Sequence, residues 1–403
     1  MEGYKLKTLF DLRINKDYDL IKNIQSLYKE PLKVVNFEKD SISSCIGCWS
    51  CWLKTPGKCV MNDKMTEIYS DYVNSDTVIL LMDTAQGFIN YQAKAFLDRT
   101  IPHYHPYIEL VNGECHHFAR YDSYPDMVFY FNTEGLNNEE EQVIEDYLYR
   151  TAFHFKSKAY RIVINEFVNL KLLKSRKAKN KTLQFESTDS IEKLIIYNGS
   201  PRRSGSNSSL ILKTVSKVLG DKVEIRDLKL TDKWNDWANA FKSEKNVMFF
   251  MPLYVHAMPS HVMKFIEKLE VSDGNISFFV QSGFPESSQS YFLEAYFEQL
   301  ALRLNRGYLG SVIKGGVESL RMRPPESQEK MIMPLVKVIE DLIFNGKFNK
   351  SDLQKLAIPV KFGVVIRILI KMMSKKMLNS FWDNQLKSNN AYEKRFDRPY
   401  LFK

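Results

Sequence analysis

The sequence predicts an α/β protein built from two doubly wound parallel sheets in tandem, with a helical tail. Three observations carry this. Short apolar runs of strand length, at 194–197, 247–251 and 276–280, each end in a polar loop, the first two leading straight into a helical run: the βαβ rhythm of a parallel sheet. The pattern also occurs twice: 78–82 lies over 247–251, and at the same offset, without a gap, Phe96-Leu97-Asp98-Arg99 lies over Phe265-Ile266-Glu267-Lys268. Finally, 173–190 is mostly basic and polar with no apolar period, and is expected as a linker. The expected domains are 1–172 and 191–348, followed by a tail, 349–403, that packs on the core.

Composition bounds the answer. The 403 residues suffice for two ordinary domains, and 44% are hydrophobic, which excludes a disordered chain. The net charge of +9 is spread over a chain rich in both signs. With no RNA- or DNA-binding motif, nucleic acid is set aside; a basic face suits an acidic redox partner or a phosphorylated dinucleotide. The first residues are charged and lack an apolar core, and no apolar run reaches about 18 residues. No secretory leader and no spanning helix are therefore expected, and the cytoplasm is the expected location.

In the first half, 7–13 reads as a strand, 17–30 as an amphipathic helix and 33–37 as a strand. The loop between the first two, Ile14-Asn15-Lys16-Asp17, has no glycine and no hydroxyl. A helix starts at 63, a strand fills 77–82, and the loop Asp83-Thr84-Ala85-Gln86-Gly87-Phe88-Ile89-Asn90 leads to a helix through 95–99. The stretch 100–125 holds His103, His105, Cys115, His116 and His117. Its histidines lack a helical i, i+4 pair, so it is expected as an extra loop, a surface lid or interface arm, in preference to a metal site. A helix at 139–155 and a strand at 159–164 close this half.

The second half opens on Asn198-Gly199-Ser200-Pro201-Arg202-Arg203-Ser204-Gly205-Ser206-Asn207-Ser208, between a strand and a helix at 209–219. Backbone N–H groups at a helix N-terminus attract anions. Here two glycines allow close approach, and four serines and an arginine can bind phosphate; the alternative is an ordinary strand-to-helix turn. Two further loops, Pro252-Leu253-Tyr254-Val255-His256-Ala257-Met258-Pro259 and Gln281-Ser282-Gly283-Phe284, leave the ends of the next two strands, where open α/β sheets bind ligands. Helices at 260–269, 289–304 and 328–344 and a strand at 308–314 complete this half. In the tail, the basic, methionine-rich run 366–378 is expected to pack on its own domain in preference to a membrane surface, and Phe396-Asp397-Arg398-Pro399-Tyr400 to wrap around it.

These three loops, with Gly283-Phe284-Pro285-Glu286 after the third strand, resemble those of flavodoxin-like, NADPH-dependent FMN reductases. The resemblance implies a flavodoxin-like fold in both halves. It implies that Ser200, Arg202, Ser206, Asn207 and Ser208 hold the FMN phosphate, and that Pro252, Leu253, Tyr254, Ala257, Met258, Gln281, Ser282 and Gly283 line the isoalloxazine ring. His256 lies in the ring loop, where it either borders the site or tunes or protonates the flavin. Arg120 and Tyr121 are placed to reach a flavin or substrate from the extra loop.

Four of the five cysteines lie between 45 and 59, as C-x2-C-x2-C-x7-C. That spacing favours metal or cluster ligation by Cys45, Cys48, Cys51 and Cys59 over a disulfide framework. It resembles the motif of iron–sulfur flavoproteins, which implies a 4Fe-4S cluster; a bare thiol set and zinc stay open. The two copies differ at these points. Asp83, Ala85 and Asn90 stand where Pro252, Tyr254 and Pro259 do, and 230–241 replaces the cysteines. By resemblance, one chain forms an internal pseudo-dimer in which the cluster serves the flavin. The expected activity is FMN-dependent electron transfer between flavin and cluster, linked to NAD(P)H or ferredoxin, with a small-molecule or protein redox partner. The alternatives are an NAD(P)H-dependent FMN or quinone reductase without metal, and a non-enzymatic flavin electron carrier or thiol redox sensor. Homo-oligomerisation is left open.

Overall fold

The computed structural model describes residues 6–163, 166–170, 186–202, 205–372 and 375–402. The chain forms two compact units, Met1–Lys174 with Val364–Lys403, and Ser175–Gly363. Most of the stretch expected as a linker, 173–185 of 173–190, lies outside the described residues.

The first unit runs β1 (Lys7–Asp11), α1 (Tyr18–Ser26), β2 (Lys33–Asn36), the one-turn α2 (Ser50–Leu53), α3 (Lys64–Val73) and β3 (Thr77–Met82). The short pair β4 (Thr84–Ala85) and β5 (Phe88–Ile89) follows, then α4 (Tyr91–Asp98), β6 (Tyr104–Val111), β7 (Glu114–Ala119), β8 (Asp126–Phe131), α5 (Asn138–His154), β9 (Ala159–Val163) and β10 (Glu166–Asn169). The sheet order is β2-β1-β3-β8-β9-β10; all neighbours are parallel except the edge strand β10. Residues 78–82 of β3 are fully buried, as expected of a strand covered on both faces. Asp63 caps α3 and forms a reciprocal capping box with Thr66.

The stretch expected as an extra loop, 100–125, is mostly an antiparallel hairpin, β6 against β7. Its turn is Asn112-Gly113, with φ of 52° and 86°, as the tightest hairpin turn requires. That dipeptide was the legible signal; the histidines around it masked the strand pattern.

The second unit runs β11 (Leu194–Asn198), α6 (Asn207–Leu219), β12 (Val223–Asp227), α7 (Trp234–Phe241), β13 (Asn246–Pro252), α8 (Ser260–Ile266), β14 (Asn275–Gln281), α9 (Tyr291–Arg303), β15 (Gly307–Lys314), α10 (Pro325–Asn345) and α11 (Lys350–Leu356). Its five strands are all parallel, in the order β12-β11-β13-β14-β15. Counted within the unit, this is 2-1-3-4-5, the order of flavodoxin-like sheets. The parallel strands of the first unit follow the same order. Alternation along β13 divides the core. Met248 and Phe250 join residues of α6 and α10 on one face. Phe249 meets Phe265 of α8 on the other, where Phe278 of β14 stacks on Phe297 of α9 at 3.9 Å.

The tail divides between the units. Residues 349–363, with α11, belong to the second; α12 (Val364–Met372) and α13 (Lys375–Ser388) belong to the first. Trp382 and Leu386 of α13 pack with Cys51, Trp52 and Tyr107.

Burial pushes the Glu294 carboxyl on α9 up to about 7 from 4.5. Between those values the unfolded chain has released a proton that the folded chain keeps, so stability falls as pH rises through the window. Glu294→Gln removes this penalty. It should raise Tm at pH 8 by roughly 2–4 °C, for about 1 kcal/mol, and leave Tm unchanged at pH 4; thermal melts at both values check it.

Candidate functional site

In the second unit the chain leaves β11 toward β12 on one side and leaves β13 toward β14 on the other. A crevice opens outside the carboxyl ends of β11 and β13, where the direction of winding reverses. The three sequence-predicted loops all emerge there.

The first loop is held from both ends. The Asn198 side chain accepts from the Ser200 N–H at 3.2 Å and donates to Asp227 at the end of β12. Gly199 lies so close to α8 and β13 that an added Cβ would fall 2.6 Å from Val262 Cγ2 and 2.9 Å from Met251 Cβ. Ser206 caps α6, accepting from the Ser209 N–H at 3.0 Å. The N–H groups of Asn207 and Ser208, in the first turn of α6, have no carbonyl one turn back; among the described residues no acceptor is found for them. Asn207 donates through Nδ2 to the Val317 carbonyl at 2.8 Å, while its Oδ1 is buried without a hydrogen-bond partner among the described residues. A buried orphan acceptor beside two free N–H groups is a set that a polar ligand or an ordered water would satisfy. Arg203 and Ser204 lie outside the described residues.

The second loop is a two-residue turn closed by a pair of backbone hydrogen bonds between Tyr254 and Ala257, both 2.9 Å. Its central residues, Val255 and His256, have φ of 39° and 60°. A β-branched residue in the left-handed region is strained, and such strain gathers at functional sites. The His256 ring is buried, with Nδ1 3.3 Å from the Gln289 carbonyl. Pro252, Leu253 and Tyr254 are half-buried and present an accessible edge, whereas Ala257 and Met258 are buried beneath it.

The third loop joins the other two. The Gln281 carbonyl accepts from the Leu253 N–H at 2.8 Å, its side chain donates to Ser208 Oγ at 3.2 Å, and the Ser282 carbonyl accepts from the Val317 N–H at 3.0 Å. The thirteen cofactor-binding residues named from the sequence thus lie on three adjacent, hydrogen-bonded loops. A fourth loop, after β15, was not foreseen. It brings Glu318 against Gly283, and Arg321 directly over Gly205, where a Cβ would sit 2.3 Å from Arg321 Nη2. Burial raises the Glu318 carboxyl pKa, against the pull of Arg202 and Arg321. Two guanidinium groups therefore flank the first loop, beside a carboxyl pushed toward its neutral form. Gly315-Gly316 was the available signal: a Cβ on Gly315 would lie 2.2 Å from the Pro285 carbonyl oxygen.

The corresponding place in the first unit is filled from within. Asp83, at the end of β3, accepts from the Ile14 N–H at 2.6 Å and the Asn15 N–H at 3.4 Å. Arg13 is engaged by Asp11, at 2.8 and 3.0 Å. The loop after β3 keeps the geometry of its counterpart in the second unit. Ala85 pairs with Phe88 around Gln86-Gly87, both left-handed, as Tyr254 pairs with Ala257 around Val255-His256.

The cysteine loop also lies in the first unit. Gly47, Trp49 and Gly57 have left-handed φ of 61°, 58° and 81°, and turn the chain around α2. The Gly57 N–H donates to the Cys51 carbonyl at 2.9 Å, which returns the chain toward Cys59. All four cysteines are free thiols; Cys48 is exposed and Cys51 buried. Burial pushes the Cys45 thiol up to about 12 and the Cys51 thiol well above its ordinary value; charge on Cys45, Cys59 or Cys48 would raise the latter further. Among the described residues no group of three or more His, Cys, Asp or Glu is placed to hold a metal ion, so the cysteines as they stand do not fit one. In the stretch 100–125, burial lowers His103 and His105 to about 3 and His116 and His117 to about 4, which keeps these imidazoles neutral. Arg120 and Tyr121 are buried, and Arg120 donates to the carbonyls of Pro102, Arg395 and Asp397 at 2.9–3.0 Å. It clamps the C-terminal segment.

No protein-family model matches the chain, and no curated protein matches it. Among solved structures, it is similar to an NADPH-quinone reductase from P. pentosaceus, at 14% identity over 36% of this chain and 94% of that one, with a TM-score of 0.28. It is similar to general stress protein 14 of Treponema denticola in complex with FMN, at 14% identity over 36% and 98%, TM-score 0.29. It is also similar to an FMN-dependent NADH-azoreductase from Bacillus anthracis in complex with FMN, at 14% identity over 38% and 99%, TM-score 0.29. At these values the likeness carries no argument about activity, which rests on the site itself.

Proposed function

We propose that the second unit binds FMN at the crevice between β11 and β13, and that the protein is a flavin-dependent oxidoreductase using NAD(P)H to reduce a small acceptor such as a quinone. The observation that carries this is the first loop: free N–H groups of Asn207 and Ser208 and a buried orphan Oδ1, between Arg202 and Arg321. A phosphate accepts from the N–H groups and the guanidinium groups, and a ribityl hydroxyl donates to Asn207 Oδ1. Pro252, Leu253 and Tyr254 would offer an apolar edge to the ring, with Gln281 and Ser282 as its polar neighbours. When bound, FMN supplies the redox chemistry by taking and passing on an electron pair. The strained Val255-His256 turn fixes the height of that edge.

The test is FMN titration into the purified full chain, followed by NADPH and NADH oxidation with a quinone acceptor. Quenching of flavin fluorescence with micromolar or tighter affinity, and flavin-dependent turnover, are expected. A chain that binds no FMN would sink the reading.

We also infer that the two units are tandem copies of one flavodoxin-like fold. The shared 2-1-3-4-5 order and the matching left-handed turns support this. A second functional reading assigns Cys45, Cys48, Cys51 and Cys59, all in the first unit, to a 4Fe-4S cluster, which would supply one-electron chemistry. The spacing of the four cysteines favours it; the lack of a ligand group among the described residues weighs against it. Iron and acid-labile sulfide in anaerobically purified protein decide it, and their absence after reconstitution discards it.

A further inference from the structure

We infer that α12 is an interfacial helix that docks the protein on an anionic lipid surface. The inference is independent of the flavin reading. Between Asp352 and Asp383 the chain has no acidic residue; its only charged side chains there are Lys355, Lys361, Arg367, Lys371, Lys375 and Lys376. Within that stretch α12 reads Val-Val-Ile-Arg-Ile-Leu-Ile-Lys-Met. At about 100° per residue, Val364, Val365, Ile368, Leu369 and Met372 form one stripe, and positions 367 and 371 fall beside it.

A helix that packs on its own domain covers its apolar stripe and leaves its charges in water. Here the burial is reversed. Val364, Val365 and Met372 are 67%, 70% and 78% exposed, and Ile368 and Leu369 are 52% and 56% exposed, while Arg367 and Ile370 are half-buried. A contiguous apolar surface of this kind marks an interaction site.

The charge pattern decides what covers it. A stripe of branched aliphatic side chains flanked by bases, without acids, matches the boundary of an anionic bilayer. The apolar residues enter the acyl region and the bases meet the phosphates. The geometry also sets the mode. Nine residues at 1.5 Å each reach about 14 Å, half of a hydrocarbon core of about 30 Å. Among the described residues no helix is long and apolar enough to cross a membrane. The helix lies in the plane of the interface.

The test is flotation of the full chain with vesicles of phosphatidylcholine alone, or of phosphatidylcholine mixed with phosphatidylglycerol. The expected result is recovery with the anionic vesicles, weakened by added salt, and little recovery with the neutral ones. I368E/L369E should lower the bound fraction by roughly tenfold or more. R367E/K371E should abolish the preference for anionic lipid. Circular dichroism and gel filtration establish that both variants keep the fold. Wild type that stays in solution with both vesicle types overturns the inference, as does I368E/L369E binding that equals wild type. Sedimentation showing a dimer that I368E/L369E makes monomeric, with no vesicle binding, assigns the face to a second copy and likewise overturns it.

Discussion

Arg202→Met is expected to raise the FMN dissociation constant by roughly 10- to 100-fold and to leave riboflavin binding unchanged. Hydrogen bonds to charged groups contribute about 1.5–3 kcal/mol, and about 1.4 kcal/mol corresponds to a tenfold change in affinity. Methionine keeps the aliphatic stem and removes only the guanidinium. Riboflavin lacks the phosphate, so it separates loss of the phosphate contact from collapse of the loop. The first loop is well supported without Arg202: Asn198 and Ser206 hold its two ends, and Gly199 is wedged against Val262 and Met251. Arg321 remains over Gly205, so binding should weaken without vanishing. FMN affinity should also fall with ionic strength more steeply in wild type than in the variant. Parallel weakening of FMN and riboflavin would place Arg202 outside the phosphate site. Fluorescence titration with the two flavins checks this.

Asp98→Asn should destabilise the first unit by roughly 3–5 kcal/mol, about 10 °C or more in Tm. Lys94 and Asp98 form an ion pair one turn apart on α4, and both side chains are fully buried. Burial drives the Lys94 ammonium down, and Asp98 opposes that. Without the carboxylate, the buried ammonium would lose the charge that most opposes its desolvation. Its folded-state pKa would fall further below the unfolded value. The loss should therefore be greatest at neutral pH and below, and shrink as pH rises toward 10.5, where the unfolded lysine also sheds its proton. Replacing both residues, Lys94→Met with Asp98→Leu, should recover most of the stability. A single variant as stable as wild type in thermal melts would show that other partners carry the charge.

What the sequence revealed and concealed has physical causes. The strands 78–82, 247–251 and 276–280 are covered on both faces, so they read as unbroken apolar runs. β12, Val-Glu-Ile-Arg-Asp, is a half-covered edge strand whose charges hide it. Loop positions at strand ends were legible because helices start immediately after them. Glu318 and Arg321 were not, since only the packing of the β15 loop on Gly205 and Gly283 brings them there. The cysteine spacing was plain, but whether four thiols meet as ligands depends on the turns at Gly47, Trp49 and Gly57. The stripe of α12 was visible too; nothing in its periodicity tells which way it faces.

Asp83 has a consequence for stoichiometry. Its carboxylate supplies, as a permanent part of the chain, the negative charge that the loop after β1 would otherwise take from solution. An anion competing there faces a tethered rival at very high effective concentration. If the two units are tandem copies, as proposed, two flavins per chain would be the simple count; with the first of these places filled from within, titration should saturate at a single equivalent.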